Sequence, residues 1–72
     1  MEVREHGPGL GFNHVPHWLL RKQVRDIASG SEGVLMAVVY ENVAVTHWVH
    51  LAYIRLPSGR EISTAVDNIE AV

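Results

Sequence analysis

The sequence predicts a mainly β fold, a small barrel or strongly curved sheet of antiparallel strands, and three observations predict it. β-Branched and aromatic residues concentrate in EGVLMAVVYE and VAVTHWVHLAYIRL, the residue types that a pleated, half-buried surface accepts. Turn signals rich in Gly and Ser, SGSEG before the first run and PSG after the second, bound them. At 72 residues, 47% apolar and 19% charged, the chain is long enough for one small core and too hydrophobic for disorder.

Residues 1–17 carry Gly7, Pro8, Gly9, Gly11 and Pro16, breakers that forbid a regular element running through them. They are expected to form a flexible N-terminal tail, with Leu10, Phe12 and Val15 available to pin part of it to a domain spanning residues 18–72. HWLLRKQVRDIASG has two readings. Pro16 in a first helical turn, Leu20, Val24 and Ile27 at helical spacing and Gly30 as a C-terminal cap describe a helix. The alternation of Leu20, Lys22, Val24 and Asp26 describes a strand. Periodicity leaves residues 17–28 open between them.

EGVLMAVVYE follows as a strand, and ENVAV is expected to connect it to the next, with Glu41 and Asn42 as the polar tip. VAVTHWVHLAYIRL is the longest strand candidate. After the PSG turn, REISTAV places Ile62, Thr64 and Val66 on one face and should pair with the preceding strand as an antiparallel hairpin. DNIEAV suits a short C-terminal helical turn with Asp67 as N-cap and Ile69 and Val72 returning to the core. A small SH3-like barrel is the most economical closed arrangement of these strands.

VRDIASGSEGVLMAV and LAYIRLPSGREISTAVDNI resemble a group of small actinobacterial proteins with an SH3-like barrel. The matching positions are Val24, Arg25 and Asp26, then Gly33, Val34, Leu35 and Met36, then Arg55, Gly59, Arg60 and Glu61. The first half also resembles the Gly-containing hairpin of KOW modules. Two departures stand out: Ile62 replaces a Trp of the pattern, and YENVAVTHWVH lengthens the middle. The resemblance implies an SH3-like fold and a binding role, and it carries no activity.

The absence of cysteine excludes disulfides, thiolate metal sites and a thiol nucleophile. The N-terminus has no apolar leader core, and VLMAVVY is too short to span a bilayer, so a cytoplasmic protein without membrane contact is expected. The formal charge is −2, and Arg21, Lys22, Arg25, Arg55 and Arg60 are scattered. Duplex binding draws on many Lys and Arg contacts to phosphate, so charge does not favour a nucleic acid partner.

Two His-x-x-His spacings, His14/His17 and His47/His50, suggest a metal site only until the second is placed on a strand. There the two side chains point to opposite faces, His47 with Val49, Leu51 and Tyr53, His50 with Trp48, Ala52 and Ile54. Neither metal nor other cofactor is expected. Ser29, Ser31 and Ser58 lie in turns without a nucleophile elbow, and GPGLGF has no preceding strand to make it a phosphate loop, so no catalytic residue is assigned. Trp48, Tyr53 and Tyr40 with Arg55 and Arg60 are the candidate binding residues, a stacking platform for peptide or single-stranded nucleic acid. Arg55 and Glu61 should form a cross-strand ion pair. The expected function is a non-enzymatic interaction module that binds a protein partner or self-associates through its sheet surface, the alternative being a KOW-like nucleic-acid-associated module.

Overall fold

Six strands and one 3-10 turn make up the regular structure of residues 12–72, the part of the chain that this computed structural model describes. They are β1 (Phe12–His14), β2 (Gln23–Asp26), β3 (Glu32–Ala44), β4 (His47–Arg55), β5 (Glu61–Ala65), the 3-10 turn (Val66–Asn68) and β6 (Ile69–Ala71). The mainly β expectation holds, and every pairing is antiparallel. The strands follow the order β5-β4-β3-β2-β6, with β1 also on β3. Among the described residues no pairing joins β5 to β6, so the sheet is curled but open where a closed barrel was expected. The cause lies after Ala65, where the chain leaves β4 and the 3-10 turn carries it to the free edge of β2.

The long strand β3 organises the rest. One edge pairs with β4 over nearly its whole length, and the other is shared, with β2 against Glu32–Val34 and β1 against Val39–Glu41. Register shifts between Leu35 and Ala37 and between Asn42 and Ala44 mark two bulges in β3, which bend a strand and increase its twist. The bending wraps the sheet around one core of Leu19, Val24, Leu35, Val38, Ala52 and Ile54, to which Ile62, Val66 and Ile69 add from the later elements. Strands β2 to β6 therefore all contribute to the same apolar centre. Burial of this kind stabilises by about 25 cal/mol per Å² of apolar surface.

Gly33 explains how closely β3 and β4 approach. A Cβ there would overlap the backbone carbonyl of Arg55 and crowd the Ile54 side chain, so only glycine fits. Gly59 has a different role: with φ of 91° it closes the turn between β4 and β5, where its N–H donates to the Leu56 carbonyl at 2.8 Å.

Two expectations are sharpened and two change. Residues 1–11, with Leu10, lie outside the described residues, but the rest of the expected tail is tied down: β1 pairs with β3, and Val15 N–H donates to the Val38 carbonyl at 2.8 Å. Between the two readings of residues 17–28, the strand prevails over Gln23–Asp26 only. A turn at residues 18–21 precedes it, and Arg21 adopts a φ of 69° that no helix or strand contains. Glu41 and Asn42 are not the hairpin tip, because β3 continues to Ala44 and the turn falls at Val45 and Thr46. Asn42 is buried instead, its Nδ2 donating to the carbonyls of Ala44 at 2.6 Å and His47 at 3.2 Å. Finally, the helical turn is a single 3-10 turn with Ala65 at its N-cap and Asp67 inside its first turn. Ile69 then opens a strand by pairing with Asp26.

Asp26 fixes the turn that joins β2 to β3. Its Oδ2 accepts from the Ser29 hydroxyl at 2.6 Å and from Ser29 N–H at 3.2 Å, and its carbonyl accepts from Gly30 N–H at 2.7 Å. The Ser29 hydroxyl holds the carboxyl below its ordinary value against the opposing effect of burial, and the Thr64 hydroxyl and the backbone N–H groups of Ser29 and Ala28 act in the same direction as Ser29.

Candidate interaction surface

Side chains alternate along β3 and β4, so the residues opposite one another on each face follow from the register. On the face that carries the core, Val38 and Ala52 are opposite and buried. One step toward the hairpin tip come Tyr40 opposite His50, then Asn42 opposite Trp48. Here the hairpin has passed the edge of the core: Tyr40 is 37% exposed and Trp48 41%. The Tyr40 and Trp48 rings stack at 5.1 Å between centroids and 23° between planes, and Tyr40 meets the His50 ring at 4.6 Å. Such offset pairs contribute roughly 0.5–1.5 kcal/mol beyond their burial. Val45 at the tip is 94% exposed, and residues 42–54 contain no Asp, Glu, Lys or Arg. The molecule's long axis of 37 Å, against 22 and 21 Å for the others, matches a single long hairpin.

On the opposite face of the same hairpin most side chains are buried or half-buried. Val39 is buried opposite the half-buried Leu51, and the Tyr53 hydroxyl donates to Glu41 Oε1 at 2.8 Å. Burial, that hydrogen bond and the negative charges of Glu41 and Glu61 push the Tyr53 hydroxyl up to about 12. Tyr53 therefore has a partner within the fold.

The five candidate binding residues do not assemble into one platform. Tyr40 and Trp48 come together, Tyr53 lies on the other face, and Arg55 is seven residues along β4 from Trp48, roughly 23 Å at the rise of a strand. Arg55 faces Glu61 across β4 and β5, with Nη2 to Oε2 at 3.7 Å and both side chains about half exposed. Arg60 is exposed in the turn before β5. His50, absent from the candidate list, joins Tyr40 and Trp48. Its parity with Trp48 was visible in the sequence, but its contact with Tyr40 depends on a register that local pattern does not contain.

Arg25, on β2, is engaged within the fold. Arg25 donates to Glu32 Oε2 through Nε at 3.1 Å and Nη2 at 2.9 Å, and to Glu70 Oε2 through Nη1 at 2.8 Å. Those two carboxylates, Glu70 foremost, raise its guanidinium above its ordinary value. An open groove of about 240 Å³ lies between Gln23, Met36, Arg55 and Pro57, smaller than the several hundred Å³ of ordinary small-molecule sites. His17 is committed locally, its Nδ1 accepting from Leu19 N–H at 3.1 Å. Among the described residues no three His, Asp or Glu side chains are grouped to hold a metal ion, and no helix is long and apolar enough to cross a membrane. In comparisons with protein-family models, curated proteins and solved structures, nothing matches this chain.

Proposed function

We propose that the chain is a non-enzymatic interaction module that binds a protein partner, which includes a second copy of itself, through the aromatic end of its long hairpin. The observation that carries the reading is the ring cluster of Tyr40 stacked on Trp48 and in tilted contact with His50, on a part of the sheet that extends past the core. Aromatic rings with a polar edge are the side chains most enriched where two proteins meet. The scaffold proposed for this hairpin is SH3-like. Five strands in the order β5-β4-β3-β2-β6, a 3-10 turn between β5 and β6, and a final strand returning to β2 support that reading. The nucleic acid alternative is weaker, because Arg25 and Arg55 already face carboxylates. The protein as a whole is proposed to be cytoplasmic.

A photo-reactive residue replacing Thr46 at the tip, compared with one replacing Ser58 at the far end of β4, tests the reading in cells. Cross-linked protein from position 46 and none from position 58 is the expected result. Equal yields at both positions, or none at either, would overturn it.

A further inference from the structure

The backbone of the same hairpin end narrows the choice of partner. Strand β5 pairs with β4 only from Leu51 to Arg55, because the chain turns away after Ala65. His47–His50 therefore have no strand on their outer edge among the described residues. Which groups face outward follows from alternation: the N–H and C=O of a strand residue point to the same side, and the side changes at each step. Leu56 N–H donates to the Arg60 carbonyl at 2.8 Å, on the β5 side, so the even-numbered residues of β4 face that edge. Trp48 and His50 thus direct their backbone donors and acceptors outward, beside the exposed aromatic face. Natural sheets ordinarily protect such an edge with Lys, Pro or a bulge. None occurs in His47–His50, and both bulges lie in β3.

We propose that this edge pairs with the same edge of a second copy, antiparallel about a two-fold axis at Trp48, so that each Trp48 N–H donates to the Trp48 carbonyl of the other copy. The inference rests on the interaction reading above and names its partner. A two-fold pairing sets the segment against itself, Trp48 opposite Trp48 and His47 opposite Val49, and any like charges within it would be brought together. Residues 42–54 have no formal charge at neutral histidine, so the edge is compatible with its own copy. The two-fold axis also keeps both aromatic faces on one side, setting Trp48 beside Trp48 of the second copy and completing a row that begins and ends with Tyr40. The register is selected by sterics. An axis at Val49 would set His47 of one copy on the place that Ala65 occupies opposite Leu51, whereas the axis at Trp48 leaves β5 of both copies clear.

The edge is short, so the association should be weak and concentration-dependent. Sedimentation equilibrium of the full chain should show the apparent mass rising from 8.0 kDa toward twice that value as concentration increases to the millimolar range. A chemically synthesised chain with an N-methyl group on the Trp48 amide keeps every side chain and loses one outward donor. It should stay at the monomer mass, as should Trp48→Ala, while Arg60→Ala associates like the parent. An equimolar mixture of His47→Cys and Val49→Cys should oxidise mainly to the mixed disulfide, because position 47 of one copy faces position 49 of the other. Unchanged association of the N-methylated chain, or no preference for the mixed disulfide, would overturn the pairing. A parent chain that stays monomeric while position 46 cross-links another protein would overturn the second copy as partner and leave the interaction reading standing.

Discussion

Gly33→Ala tests the close approach of β3 and β4. The new methyl group would meet the backbone carbonyl of Arg55 and the buried Ile54 side chain. Neither can yield easily, since β4 is held between β3 and β5 and Ile54 is at the centre of the core. Overpacking typically costs 1–3 kcal/mol, and collision with paired backbone places this site at the upper end, about 3 kcal/mol. A 72-residue domain has a total stability on the order of 4–11 kcal/mol, and each kcal/mol moves the midpoint by roughly 4–8 °C at this size. The Tm should fall by roughly 12–24 °C. Gly30→Ala is the comparison, because Gly30 has a φ of 78° with open space around its Cα. There the cost is conformational only, about 1 kcal/mol. Urea and thermal unfolding followed by far-ultraviolet circular dichroism would measure both. A loss below about 1 kcal/mol for Gly33→Ala, or one equal to that of Gly30→Ala, would refute the strand approach described above.

Trp48→Ala should cost no more than about 1.5 kcal/mol, because only part of the ring is buried, whereas Ile54→Ala in the core should cost roughly 2–5 kcal/mol; paired urea titrations read the difference. In a Tyr40→Phe background, phenolate absorbance should place Tyr53 near 12, and Glu41→Gln should lower it. Because the folded value lies above the ordinary value of about 10, the stability linked to Tyr53 is fully present below pH ~10 and is lost as pH rises through about 12. Asp26 has the opposite sign: its carboxyl is held low, so its stabilisation is present above the ordinary carboxylate range and is lost as pH falls below ~4. Asp26→Asn should flatten the acid limb of the stability profile.

Much of the strand content was legible because β-branched and aromatic residues concentrate in β3 and β4, and side chains along a strand show an alternation between faces. The placement of His47 and His50 on opposite faces follows from that alternation alone. The hairpin tip was not legible, and the reason is specific. Glu41 and Asn42 look like turn residues, but Glu41 accepts from Tyr53 twelve residues away, and Asn42 turns inward to bond the backbone around the turn. A local pattern cannot distinguish a polar residue that marks a turn from one satisfied by a distant partner. The apolar Val45 occupies the exposed tip instead. Residues 17–28 were ambiguous for a related reason, since Leu19 reaches the core from a turn and belongs to no periodic element. The C-terminal strand is equally nonlocal, because Ile69 becomes a strand residue only through its pairing with Asp26.

The same dependence on register applies to the candidate surface. Tyr40 and Trp48 could be named from residue type, but the ring contacts of Tyr40 with Trp48 and His50 require β3 and β4 to pair as they do. Arg55 and Arg60 were grouped with them by chemistry alone, and the length of β4 separates them.

Residue-resolved amide hydrogen exchange along β4, measured from dilute to concentrated protein, tests the free aromatic edge most directly. In dilute solution Val49 and Leu51, whose N–H groups face β3, should be protected, while Trp48 N–H exchanges at nearly the rate of an unstructured amide; protection of Trp48 should then rise with concentration. A Trp48 amide already protected in dilute solution, or one whose exchange is the same at every concentration, would contradict the account.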